Sequence, residues 1–257
     1  MIHESRLSVR MIMVLSATAV LVILTFALTS ALPQDPAYHQ FADTRAILGV
    51  GNFYNVISNL PLLIIGIVGL AYLASHAKSV CSPGLLPAYI VFFVGIFLTA
   101  FGSSYYHLSP ANGPLVWDRL SMAISLAGLF TLIIGEFVSS RFARRILAPF
   151  VLIGIGSVAY WAVTEVIGAG DLRPYAMVQF LPLMLIAFIL LSYRPAIGSS
   201  KYYWLMMLFY VVAKVFEHFD AAIFSAGQII SGHTLKHLFA SLMPATLLYA
   251  LTARRRT

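Results

Sequence analysis

The chain has 257 residues, of which 60% are hydrophobic and 10% charged. A soluble domain carries about 25% charged residues, so this composition excludes an ordinary water-soluble fold and points to an all-α integral membrane protein. The excess of 16 Lys+Arg over 9 Asp+Glu leaves a formal charge of +7, and the single cysteine, Cys81, excludes an internal disulfide or a Cys-based zinc finger.

A bilayer-crossing helix needs about 20 mostly apolar residues. Eight such runs follow one another at 11–31, 53–75, 84–106, 115–137, 146–167, 174–193, 202–224 and 233–252. The reading is a seven-transmembrane-helix core with one additional N-terminal transmembrane helix. Residues 1–31 form an N-terminal segment and first span, 32–52 an external connecting loop, 53–252 the core, and 253–257 a basic tail. The first run also fits a cleaved signal sequence; its length favours a retained helix.

Cytoplasmic loops are enriched in Lys and Arg. With the N-terminus inside, the inner segments hold Arg6, Arg10, Lys78, Arg141, Arg144, Arg145, Arg194, Lys201, Arg254, Arg255 and Arg256, whereas the outer ones hold only Arg45 and Arg173. Lys214, Lys236 and Arg119 fall within spans or at their edges. This bias predicts a multi-pass protein of the cell membrane with both termini cytoplasmic. It assigns the basic balance to topology, with no nucleic-acid partner.

The polar residues inside the spans gather at the outer side. The third span ends in "SSYYH" with Ser103 and His107, and the fourth begins with Asp118. The seventh ends in "AKVFEHFD" with Lys214, Glu217, His218 and Asp220; the last begins "HTLKH" with His233 and His237. Residues four apart share a helix face, so His233 and His237 can bind one metal ion together. A third histidine from another helix completes a three-His site with an open position, the pattern of catalytic zinc. Zinc lowers the pKa of bound water towards about 7. Asp118 would orient that water and relay its proton, and Ser103 would donate to a developing oxyanion.

Blander roles compete. A lone interfacial histidine is commonly a hydrogen-bonding residue, and "HTLKH" alone occurs by chance. Asn52, Asn55, Asn59 and Ser58 read first as helix-packing groups, with support of the site a lesser role. Lys214 and Glu217 would neutralise one another, and Lys236 would take Glu217 or Asp220 as its partner. Trp161 and Trp204 read as interfacial anchors or core; Glu165 and Asp171 carry no assignment.

The arrangement S-x3-H-x10-D ("SSYYHLSPANGPLVWD") followed by H-x3-H ("HTLKH") resembles the alkaline ceramidases. It is similar too to their superfamily of seven-helix membrane hydrolases, which includes adiponectin-receptor-like and GPI-remodelling proteins. The resemblance runs from about residue 52 to 252, with "NFYNVISNLPLLIIG" like the start of the first core helix and "FEHFD" like the polar motif of the sixth. It implies one zinc per chain held by His107, His233 and His237, with Asp118 and Ser103 catalytic and Asp220, Glu217 and Lys236 in support. The implied reaction is hydrolysis of the amide bond of a ceramide-like membrane lipid to a fatty acid and a sphingoid-type base. Eukaryotic ceramidases carry an acidic calcium-binding segment before that helix. Here "FADTRAILGVGNFYN" offers only Asp43, with Asn52 where an acid is expected, which argues against Ca2+. Alternatives are a zinc hydrolase of another acylated lipid, a lipid receptor or sensor without turnover, a metal transporter and an intramembrane serine protease. Polar groups clustered at one end disfavour transport, and a Ser–His pair leaves two histidines unused.

Overall fold

The computed structural model describes residues 9–254, with side chains from residue 16 onward. The expected basic groups Arg6, Arg10, Arg255 and Arg256 lie outside the described residues or side chains, as does most of the 253–257 tail. The described chain is helical, without a strand; a lone bridge joins Ile47 and Val50 in the loop. Its helices are α1 (Val9–Leu28), α2 (Phe53–Ile57), α3 (Leu60–Val80), α4 (Leu86–Leu108), α5 (Asn112–Phe137), α6 (Ser140–Val166), α7 (Arg173–Ser192), α8 (Lys201–His218), α9 (Asp220–Gly227) and α10 (Gly232–Arg254).

Five of these are long and apolar enough to cross a membrane: Phe53–Val80 taken through α2 and α3, then α4, α5, α6 and α7. Two of the other expected runs fall short for visible reasons: α8 carries Lys201, Lys214 and Glu217, and α10 carries Lys236 and two histidines; the part of α1 whose side chains are described, Ser16–Leu28, is an apolar run. Large apolar side chains such as Ile64, Leu152, Met184 and Leu208 face outward. Burying them in lipid removes the penalty that water would exact.

Two expected boundaries move. The second run breaks at Ser58–Asn59, because Pro61 has no N–H to offer the Ile57 carbonyl one turn earlier. The seventh run stops at Phe219, where the chain turns into the short α9.

α5 is the most buried of the five long helices, packed between α4 on one side and α6 and α7 on the other. α3 packs on α4, and α10 closes the ring by packing on both α3 and α8. α7 and α8 meet only sparsely. Glycines set the α4–α5 approach. A Cβ on Gly102 would lie 2.5 Å from the Trp117 carbonyl oxygen, and one on Gly128 would lie 2.5 Å from the Phe92 amide nitrogen. Such small residues let membrane helices come within backbone contact. At the end of the bundle opposite the histidines Arg254 binds Glu136 at 3.0 Å, and Tyr89 and Ser82 donate to the same carboxylate. This buried cluster ties the end of α10 to α4 and α5.

Candidate metal centre

His107 lies in the last turn of α4, while His233 and His237 occupy the first turns of α10. All three are at most 5% exposed. Their Nε2 atoms converge: His107 is 3.3 Å from both His233 and His237, and the three ligand atoms all lie within 4.8 Å of one another. Nitrogens held about 2.0–2.1 Å from a tetrahedral zinc stand about 3.3 Å apart, so the spacing fits a metal ion. The donor set fits as well, since neutral imidazole is a good zinc ligand and three leave a position open.

Neighbouring groups support this use of the rings. Ser58 Oγ donates to the Asn55 carbonyl at 3.1 Å, which leaves its lone pair to accept from His237 Nδ1 at 2.8 Å. That bond puts the ring proton on Nδ1 and the free lone pair on Nε2. The Asn55 side chain accepts from Thr234 in α10 at 2.8 Å, and Asn52 donates to the His107 carbonyl at 2.9 Å. Asn52, Asn55 and Ser58, read from sequence first as packing, thus hold up the histidines or the helix that carries them, while the Asn59 side chain donates to the Asn55 and Val56 carbonyls. His107 Nδ1 is buried with no partner.

Asp220 and Glu217 separate into different tasks. Asp220 accepts from the His233 amide at 2.7 Å and from the Ala42 amide at 3.0 Å, so it caps α10 and fastens the loop. Lys236 takes Glu217 as its partner, at 3.0 Å, and not Asp220. Lys214 binds the other oxygen of Glu217, so one carboxylate bridges two lysines. His218, in the same motif, ends α8 against Phe219 and stays outside the histidine cluster.

The 32–52 connection is more than a link. The Phe41 ring sits 4.6 Å from both His107 and His233 and covers the triad from outside. His39 bonds Tyr106 at 2.9 Å and Asn112 at 3.0 Å, while the Gln34 amide donates to Glu165 at 2.6 Å. Asp43 is enclosed by Arg45, whose hydrogen bonds hold its carboxyl below the usual range. Asp171 likewise accepts from Arg173, which lowers it to about 2.

Beside the triad a cavity of about 490 Å³ runs into the bundle. His237, Ser103, Asp118, Arg119, Glu217 and Lys236 line its polar part; Phe92, Ile96, Leu126, Leu129 and Met243 line its apolar part. Along α5, Asp118 to Leu129 corresponds to about 16 Å at 1.5 Å per residue, a depth suited to an alkyl chain. Phe180 of α7 and Tyr210 and Lys214 of α8 also border it, at the sparsely packed seam. Asp118 is 7% exposed and lines the cavity together with Ser103. The close approach at Gly102 is what sets these two side chains level.

Sequence reading placed the triad, Asp118 and Ser103 together, and the structure does so. It passed over Phe41, which gives no sequence signal because an aromatic in a loop is common. It noted Arg119 without a role, although an ionisable residue in a span is a functional signal by default. Compared with models of known protein families the chain matches none, and no curated protein is similar enough in sequence to match it.

Proposed function

We propose that the protein is a zinc-dependent membrane hydrolase that cleaves the amide bond of a ceramide-like lipid, releasing a fatty acid and a sphingoid-type base. The observation that carries this reading is three buried imidazole nitrogens at metal-binding separation, beside a deep apolar cavity whose polar end holds Asp118 and Ser103. The alkyl chain lies along the apolar part and the scissile carbonyl among the polar groups.

His107, His233 and His237 would hold a zinc ion, which would supply Lewis acidity and hydroxide character to a water near neutral pH. Asp118 takes a proton as water oxygen adds to the carbonyl carbon, then gives it to the amine nitrogen as the C–N bond breaks. Ser103 donates a hydrogen bond to the carbonyl oxygen as it gains charge. Ser58 keeps His237 in the binding tautomer, and Phe41 keeps bulk water off the triad. The membrane arrangement belongs to the same proposal: α2–α3, α4 to α8 and α10 form seven spans, α1 is an eighth, both termini are cytoplasmic and the metal centre is near the outer face.

Metal analysis of purified protein beside an acyl-lipid hydrolysis screen tests this. About one zinc per chain is expected from a single three-ligand site, lost in large part in His237→Ala. Asp118→Asn should keep zinc while turnover falls by about 10²–10⁴, and Ser103→Ala should keep zinc and lose roughly 10²–10³. Full zinc retention in all three single His→Ala variants refutes the metal centre. Tight lipid binding without turnover of any amide or ester between roughly pH 6 and 10, around the range where zinc-bound water ionises, replaces the hydrolase with a lipid receptor.

A further inference from the structure

Arg119 follows Asp118 on α5, lines the same cavity and is 6% exposed. Its guanidinium carbon lies 4.1 Å from the Trp161 ring centroid, 5.0 Å from Tyr175 and 5.6 Å from Tyr38. Those rings attract the cation through their faces, but they leave its in-plane N–H groups in need of acceptors. Nη2 has one, the Gln34 side-chain oxygen at 2.6 Å; Nη1 is buried and has none.

No carboxylate lies within ion-pair distance of this guanidinium among the described residues. The nearby Glu165 accepts from the Gln34 amide and the Trp161 indole. The cavity lining sets Arg119, Lys214 and Lys236 against Asp35, Asp118 and Glu217, but Asp35 is exposed and accepts from the Ala37 amide, and a divalent cation on neutral histidines would add to the positive side. A buried cation without a partner is costly, and the cost is relieved when a ligand brings the missing anion.

We propose that Nη1 of Arg119 binds an oxyanion, a carboxylate or phosphate, carried by the amine portion of the substrate. The preferred lipid is then an acidic N-acyl lipid, and a neutral ceramide is a poorer one. The acyl portion is not the source, because its path down the cavity is apolar. This inference rests on the hydrolase reading for the word substrate, but the binding subsite can be measured without turnover.

The probe is a ketone isostere of N-palmitoylglycine in which CH2 replaces the amide NH, compared with its methyl ester by calorimetry on the zinc-loaded protein in detergent. A charge-assisted bond gained by the acid and not by the ester predicts a preference on the order of ten- to a hundredfold. Arg119→Gln and Arg119→Met should bring the two affinities within about twofold of one another, with zinc content and ester affinity kept. Arg119→Lys should restore part of the preference, which a purely structural arginine would not require. A phosphate-bearing isostere in a parallel arm shows which oxyanion binds more tightly. Equal binding of acid and ester by the unmodified protein overturns the proposal, as does a preference that survives Arg119→Gln. The two readings fail separately. An acid preference with no hydrolysis of any acyl lipid keeps the subsite and removes the hydrolase. Hydrolysis of neutral lipids together with equal binding of acid and ester does the reverse.

Discussion

Removing the Ser58 hydroxyl tests whether the shell around the histidines is built for a metal. In Ser58→Ala the buried His237 Nδ1 loses its acceptor, which stands at 2.8 Å in the structure. Without metal the ring can move its proton to Nε2, where His107 Nε2 is 3.3 Å away. Metal binding takes that escape away, because Nε2 must then offer its lone pair and Nδ1–H is left buried and unpaired. An unsatisfied buried donor costs about 1–3 kcal/mol, and this cost falls on the metal-bound state. Zinc affinity should therefore weaken about 10–100-fold, in line with the loss of other groups that orient metal-bound histidines. Competition with a chromophoric chelator reads the affinity directly, and thermal unfolding of metal-free protein checks that the fold is intact. If Ser58→Ala binds zinc as tightly as the unmodified protein while His237→Ala does not, the hydroxyl does not set the tautomer and the argument is wrong.

Gly102→Ala places a methyl group 2.5 Å from a backbone carbonyl of α5, so that helix must shift and carry Asp118 away from Ser103; hydrolytic turnover should drop at least tenfold, as a misplacement near 1 Å can cost about 10²-fold, while zinc content stays. For the loop before α7, the Asp171 carboxyl is lowered to about 2 by Arg173. Its folded pKa lies below its ordinary one, so its contribution is complete above about pH 4 and fades as pH falls towards about 2; Asp171→Asn should remove that contribution, lowering stability at pH 7 and flattening the acid limb of a pH–stability curve, with the two proteins converging near about pH 2. Reporter fusions at residue 257 and in the 109–111 connection should come out cytoplasmic and external respectively, and an external C-terminus would refute the proposed orientation.

Much of this molecule follows from local chemistry. Long apolar runs have few ways to satisfy their backbone groups other than helix, so α3 to α7 could be placed from hydropathy alone, and α8 and α10 from apolar runs interrupted by polar groups. Helical periodicity put His233 above His237, and Ser103 above His107, without knowledge of the packing. The break at Ser58–Asn59 was also written locally, in Pro61, although a hydropathy window passes over it. Other features depended on contacts between distant segments. Asn55 and Ser58 were ambiguous because a short polar side chain glues helices or supports a ligand with equal ease. The α10 contacts to Thr234 and His237 decided between the two. Lys236 had two acids within plausible reach, and only the relative rotation of α8 and α10 gave it Glu217. The roles of Phe41 and Arg119 were beyond sequence reasoning for a common reason. What they do depends on what stands opposite them across the fold, two histidine rings for one and three aromatic faces with no ion-paired carboxylate for the other, and periodicity within a single helix carries no information about that.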